Sequence, residues 1–197
     1  MSYTKYKTKG IVLGGTNIGE GSRSYNIFTQ DFGLIHVRAQ GIRELKSKLK
    51  YSLQNLFLVD LYLVRGKSGW HITESYKIKS ITEPFKKNNH KLKASVRVLF
   101  FLKRVLGQED NNKNLFDIIN KGFYFMESEN FSEDDVLDIE SLIVLRILNN
   151  LGYVDDREVF KSLLVDAEYN NDVIMKVRKI KSIIIKEINQ SIRASDL

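Results

Sequence analysis

An α+β chain, strands first and helices after, is what three observations predict. Apolar residues alternate with a period near two up to about residue 80 and recur every three to four residues beyond it. The change falls at Pro84, the single proline, and a proline disfavours helical backbone at the residue before it. The charge is also divided. Residues 1–80 hold 13 Lys and Arg against 5 Asp and Glu, a surplus of 8, whereas residues 81–197 hold 18 against 19, so the net charge of +7 originates in the first part. The predicted division is 1–82 for a basic β-domain and 83–197 for an all-helical domain. A chain of 197 residues can bury cores of this kind.

The first strand is read over Tyr3–Leu13, where Lys5, Lys7 and Lys9 alternate with Thr4, Tyr6 and Thr8. The glycine-rich run Gly14–Gly21 is read as a flexible bend. It lacks the terminal Gly-Lys-Ser/Thr that a phosphate-cradling loop needs. Ser22–Thr29 is the second strand, Gln30-Asp31-Phe32-Gly33 a hairpin turn, and Leu34–Gly41 the third strand. There Ile35, Val37 and Ala39 face one way and His36, Arg38 and Gln40 the other. Gln54–Arg65 is apolar on both faces, and Gly66-Lys67-Ser68-Gly69 turns the chain into Trp70–Lys79. Five short strands in a basic domain of this size suit an OB-fold, a small Greek-key barrel.

Four helices follow. His90–Leu106 carries Leu92, Val96, Leu99 and Phe100 at helical spacing, and Asn114–Met126 carries Leu115, Ile118, Ile119 and Phe123. Ser132 is placed to cap a helix whose first acids, Glu133, Asp134 and Asp135, complement the positive N-terminal dipole. That helix carries Val136, Ile139, Ile143 and Ile147 and ends at Leu151-Gly152. A last helix, Asp172–Ile192, places Val173, Val177, Ile180, Ile184, Ile188 and Ile192 on one stripe.

The most informative stretch is Gly41–Lys50. It brings Arg43, Lys46, Lys48 and Lys50 within eight residues, with Arg38 just before. Each phosphate neutralised by Lys or Arg releases counterions whatever the base, so such a cluster at the edge of a β-domain is a handle for a polyanion. The bland reading is a solvated turn in which Glu44 and Lys48 form an i,i+4 pair. Arg23, Arg65 and Lys67 are second-rank candidates. Lys5, Lys7 and Lys9 suit DNA contact or the protection of an edge strand. OB-folds stack bases on aromatic rings. Tyr6, Tyr25, Tyr51 and Trp70 are candidates, with Tyr51 beside Lys50 the best placed. Trp70 and Tyr76 share a strand face with Ile72 and Ile78 and read as core.

No catalytic residue and no metal ligand is nominated. The chain has no cysteine, which excludes disulfides, thiolate zinc sites and thiol nucleophiles. His36, His71 and His90 have no metal-like spacing, and Glu133-Asp134-Asp135 is explained by capping. The N-terminus has no apolar signal-peptide core, and no apolar run is long enough to span a bilayer. A soluble, cytoplasmic protein is expected, with no membrane partner, no cofactor and no small-molecule substrate.

The ordered set Ile11-Val12-Leu13, Gly19-Glu20, Phe28-Thr29, Gly33, Gly41-x-Arg43, Lys46-Ser47-Lys48-Leu49, Leu53-Gln54, Arg65-Gly66 and Glu74 resembles the RecO family of bacterial recombination mediators. Leu148-x-x-Leu151-Gly152-Tyr153 resembles the segment before the zinc module of many RecO proteins. Ile188-x-x-Ser191-Ile192-Arg193-Ala194-Ser195 is similar to the end of their C-terminal helix. The resemblance implies an N-terminal OB-fold with a helical domain, binding of single- and double-stranded DNA, and annealing of complementary strands. It also implies cooperation with RecR and with the C-terminal tail of the single-strand-binding protein in loading the RecA recombinase. One departure is plain: where many relatives carry cysteines, this chain has Val154-Asp155-Asp156-Arg157-Glu158-Val159-Phe160, so a zinc module is absent or rebuilt without metal.

The leading expectation is a non-enzymatic DNA-binding and strand-annealing mediator of the RecF pathway. The basic faces of the last helix (Lys176, Arg178, Lys179, Lys181, Lys186) and of the first (Lys91, Lys93, Arg97, Lys103, Arg104) are solvated surfaces or docking sites for an acidic peptide. A rival is a protein-interaction adaptor with an OB-fold and no direct DNA role. A third reading, a nuclease, would require magnesium-dependent cleavage.

Overall fold

The alternation of the first 80 residues resolves into β1 (Lys5–Ile18), β2 (Ser22–Thr29), β3 (Gly33–Ala39), β4 (Phe57–Gly66) and β5 (Gly69–Ser80), with a one-turn helix α1 (Leu49–Ser52) between β3 and β4. They close into a barrel in the order β1-β2-β3-β5-β4, β4 pairing back to β1. The pairs are antiparallel except β3–β5, where Val37 faces Trp70 and Arg38 faces His71. This is the expected OB-fold topology. The computed structural model describes residues 4–107, 112–155, 157–164 and 168–194. Tyr3, Asp156 and Ser195, used in the readings above, lie outside the described residues.

Inward positions fill the barrel: Val12, Ile27, Ile35, Val37, Leu61 and Leu63 are fully buried. Burying a side chain of this size contributes about 1.5–3 kcal/mol. Trp70, Phe32 and Tyr6 pack as one aromatic group, with centroids 5.0 Å apart for Phe32–Trp70 and 5.4 Å for Tyr6–Trp70. Tyr6, Tyr25 and Trp70 are thus engaged in or against the core.

Two strand readings are corrected. Gly14–Ile18 is not a bend but the continuation of β1, paired with β2 as far as Ile18↔Ser22. The glycines are there for geometry. A register shift between Val12 and Gly14 puts Gly14 at φ 133°, and a Cβ on Gly15 would stand 2.5 Å from the Ser24 carbonyl oxygen. The second correction concerns Tyr76 and Ile78. Trp70 and Ile72 are buried as expected, but Tyr76 is 56% exposed and Ile78 43%. The pairing moves from Leu63↔Ile72 to Tyr62↔Glu74, so Thr73 is an extra residue and the alternation beyond it reverses. β4 also begins at Phe57 rather than Gln54.

The chain divides into two compact units, Met1–Glu83 with Leu106–Lys113, and Pro84–Val105 with Asn114–Leu197. The second contains α2 (Asn89–Val105), α3 (Lys113–Ser128), α4 (Glu133–Asn150), α5 (Glu158–Leu164), α6 (Asn171–Lys179) and α7 (Lys181–Ala194). Ser132 and Asp135 form a reciprocal capping box at the start of α4, an arrangement worth about 1 kcal/mol. Its end is a Schellman turn: Tyr153 N–H donates to Leu148 O (2.9 Å), Gly152 N–H donates to Asn149 O (3.0 Å), and Gly152 has φ 80°. Val136, Ile139, Ile143 and Ile147 are buried, as are Leu115, Ile118, Ile119 and Phe123 of α3.

Elsewhere the expected stripes are displaced. On α2 the buried set is Lys91, Ala94, Ser95, Val98, Leu99, Leu102 and Val105, and Phe100 is 66% exposed. The last helix is broken at Ile180, whose φ of −119° and ψ of 20° leave the helical region. The break separates Arg178 from Lys181, and both converge on the fully buried Asp138 of α4, at 2.9 and 2.7 Å. The buried side chains are accordingly Ile174, Val177, Ile184, Glu187 and Ser191. No described helix is long and apolar enough to cross a membrane.

Candidate nucleic-acid interface

The segment from Ile42 to Lys50 is a succession of tight turns. Glu44 N–H donates to Gly41 O and Ser47 N–H to Glu44 O, both at 3.1 Å. Gly41 starts it at φ 65°, a conformation that costs glycine little. Ile42 is buried and anchors the segment to the barrel, while Arg43, Lys46 and Lys48 point into solvent. The helix begins only at Leu49, so Glu44 and Lys48 are not one helical turn apart. Among the described residues no ion pair joins them or reaches Arg43, Lys46 or Lys48.

Arg43 is the hinge of the arrangement. Its backbone N–H donates to Gly21 O (3.1 Å) and its Nη1 to Gly19 O (3.1 Å), which fastens the segment to the β1–β2 turn. Lys50 Nζ donates to Leu45 O (3.0 Å) and lies 5.0 Å from the Tyr51 ring centroid. Tyr51 is 67% exposed, so of the four proposed stacking rings it is the one presented to solvent.

Arg23, twenty residues before Arg43, comes to the same place. It projects from the inward side of β2, opposite Ala39, and its Nη2 donates to Gly15 O (2.9 Å). Its guanidinium lies 5.2 Å from the Tyr25 centroid. Burial pushes the Tyr25 phenol up, and the Arg23 charge beside it partly opposes that. Arg23, Arg43 and Lys50 line one cleft of about 720 Å³ with Tyr25, Ile42 and Leu53, and with the side-chain amides of Asn17, Gln54 and Asn55. Those amides escaped the sequence reading because nothing in the linear pattern separates them from loop residues.

Arg38 and Lys67 line a second cleft, of about 490 Å³, with Gln40, Ser68 and His71. Arg38 faces outward from β3 and Lys67 tips the β4–β5 hairpin. Ser68 Oγ and His71 Nε2 are 2.9 Å apart. Arg65 belongs to neither cleft, and its guanidinium packs over the Trp70 ring at 5.2 Å. Of the nominated cations, Arg23, Arg43 and Lys50 line one cleft, Arg38 and Lys67 the other, and Lys46 and Lys48 lie on the same 42–50 segment as Arg43 without lining either. Arg65 stands apart.

The basic helix faces read differently in three dimensions. Lys91 is buried, its Nζ donates to Glu129 O, and burial pushes its ammonium down. Arg97 makes a two-pronged pair with Glu140. Arg178 bonds Asp135 and Asp138, and Lys181 bonds Asp138. Lys93, Lys103, Lys176, Lys179 and Lys186 remain exposed. After the Leu151-Gly152 helix end the chain is clipped by charge. The 97%-buried Glu187 of α7 pairs with Arg157 (3.0 Å) and accepts from Asp155 N–H (3.3 Å), and Ser191 Oγ donates to Tyr153 O (2.8 Å).

Residues 1–82 match the family described as Recombination protein O N terminal. Curated relatives carry the name DNA repair protein RecO. That of Trichodesmium erythraeum (strain IMS101) is 33% identical over 117 residues, covering 59% of this chain and 40% of the relative. That of Clostridium novyi (strain NT) is 27% identical over 159 residues, covering 78% and 58%. That of Alkaliphilus metalliredigens (strain QYMF) is 26% identical over 131 residues, covering 66% and 53%. The chain spans about half the length of the curated relatives it matches.

Proposed function

We propose that this chain, which belongs to the RecO family, is a non-enzymatic DNA-binding and strand-annealing mediator of recombinational DNA repair. Residues 1–82 are its DNA-binding OB-fold domain and 83–197 its helical domain. One observation carries the reading. The 42–50 segment presents Arg43, Lys46 and Lys48 to solvent with no carboxylate partner among the described residues, beside a cleft that adds Arg23 and Lys50. OB-folds take nucleic acid on the β2–β3 face and on the β1–β2 and β4–β5 loops. The first cleft adjoins the β1–β2 turn and the second contains the β4–β5 hairpin. Cations at both lower the repulsion between two phosphate backbones, and complementary bases can then search for register.

RecR and the C-terminal tail of the single-strand-binding protein are the proposed protein partners. The exposed lysines of the helical domain supply the charge an acidic peptide needs. The proposed site of action is the cytoplasm, at the nucleoid.

The test is a salt-series titration of single-stranded DNA, with an annealing assay on complementary oligonucleotides. Arg43→Glu/Lys46→Glu/Lys48→Glu is expected to weaken binding on the order of 100-fold and to lower the log–log salt slope by about two, from about 0.7 per lost contact. A triple variant that binds and anneals like the parent chain would refute the assignment and favour an adaptor that handles protein alone.

A further inference from the structure

Edge protection accounts for one side of the lysine row on β1. An edge strand gains from lysines that discourage pairing with another chain. β1 pairs with β2 only from Gly10 onward, and Lys5, Lys7 and Lys9 lie on the stretch that pairs with β4 alone, so the row has one strand edge to shield.

What the row adjoins gives it another purpose. Lys7 stands opposite Tyr62 and Lys9 opposite Asp60 on β4, and these stand opposite Glu74 and Tyr76 on β5. The Tyr62 and Tyr76 rings meet edge to face with centroids 6.1 Å apart. Lys5 Nζ lies 4.8 Å and Lys7 Nζ 5.6 Å from the Tyr62 centroid. The Thr73 bulge is what turns Tyr76 outward, where it is 56% exposed.

Charge is only partly neutralised on this face. Glu74 accepts from Lys5 Nζ and from the Tyr76 hydroxyl (3.0 Å). Those two hydrogen bonds, Lys5 first, hold its carboxyl below the usual range. Among the described residues no ion pair reaches Lys7 or Lys9. None of these residues lines either cleft.

Interleaved rings and ammonium groups on a sheet are what a single strand of nucleic acid requires, the rings for bases and the lysines for phosphates. An apolar peptide would need a groove, and here the rings are ringed by charge. We propose that the β1–β4–β5 face of the barrel is a second single-strand site, anchored by Tyr76 and Tyr62 with Lys7 and Lys9. The inference rests on the annealing function proposed above and deepens it: one chain then holds one strand at the Arg43 cluster and another on this face.

The test is the stoichiometry of a thymidylate oligonucleotide of about ten nucleotides, titrated at low salt into the full chain. The parent chain is expected to bind about two equivalents. Lys7→Glu/Lys9→Glu/Tyr76→Ala is expected to lose one, and Arg43→Glu/Lys46→Glu/Lys48→Glu the other. Tyr76→Ala alone is expected to weaken the second equivalent about tenfold, and Tyr76→Phe to leave it intact, because the ring and not the hydroxyl stacks. A face variant that still binds two equivalents overturns the proposal, as does loss of all binding in the Arg43 triple variant. Parent-like affinity in Tyr76→Ala overturns it as well, since the face would then be mere charge. A face variant that loses one equivalent while the Arg43 variant loses none supports this face and refutes the Arg43 cluster.

Discussion

The two compact units use their cations in opposite ways. In the helical unit five cations end on carboxylates or carbonyls: Arg97 on Glu140, Arg178 on Asp135 and Asp138, Lys181 on Asp138, Arg157 on Glu187 and Lys91 on Glu129 O. Two of those carboxylates, Asp138 and Glu187, are almost wholly buried. In the barrel unit Lys5 pairs with Glu74, but at the candidate interface Arg43 ends on a backbone carbonyl of the β1–β2 turn, Lys50 on one of its own segment and Arg23 on one of β1. Carbonyl oxygens orient a cation without cancelling its charge. A paired cation belongs to the fold, whereas an oriented and uncancelled one is available to an external anion. The near balance of 18 cations to 19 acids after residue 80 is the composition-level trace of the same difference.

The sharpest way to break this contrast is at Asp138. Its carboxylate is fully buried and receives both Arg178 Nε and Lys181 Nζ. Asp138→Ala removes the common partner of two cations at the break between α6 and α7. We expect a loss of about 3 kcal/mol, the lower end for a broken buried pair, because both cations retain access to water. Chemical denaturation followed by circular dichroism measures it. The contrast between structural and available cations fails if the variant is as stable as the parent chain.

A smaller effect of definite sign comes from pH. The Ser132 hydroxyl, then Arg178 and the Ser132 backbone N–H, hold the Asp135 carboxyl below its usual 3.8. A depressed folded value means that the contribution is complete above about pH 4 and is lost as pH falls through the folded value. Melting curves between about pH 5 and pH 2 should therefore show the helical signal weakening toward the acid end. Ser132→Ala should cost about 1 kcal/mol at neutral pH and flatten part of that acid dependence. An unchanged acid profile in Ser132→Ala would show that the cap does not set it.

How far these differences could be read in advance depends on the element. Strand count and order were legible because alternation and the turns at Gly33 and Gly66–Gly69 are local signals. The inward side of β3 and the buried stripes of α3 and α4 were legible for the same reason. Tyr76 was misplaced because a bulge at Thr73 changes parity through pairing with β4, and no residue type in Trp70–Lys79 announces it. Phe100 was misplaced because α2 offers apolar residues on more than one face, and only packing selects Val98 and Leu102. The break at Ile180 lies between two cations that share a carboxylate on another helix, about forty residues away in sequence, a contact no local pattern announces. At the site, the run from Arg43 to Lys50 is visible in one dimension. The arrival of Arg23 beside it is not, and neither is the separation of Arg38 and Lys67 into another cleft. Long-range strand register decides both.

The smallest expected change in stability gives the most direct view of the distinction. Lys46→Ala and Lys48→Ala remove exposed side chains with no described carboxylate partner. Each should leave the melting temperature within about 2 °C of the parent chain. Each should nevertheless lower the slope of log affinity against log salt for single-stranded DNA by about 0.7, since a lost phosphate contact is counted there and nowhere in the fold. A cation engaged in packing would produce the reverse pattern, a lowered melting point with an unchanged slope. Stability and salt slope measured on the same two variants therefore decide, residue by residue, whether the 42–50 segment belongs to the barrel or to what the barrel binds.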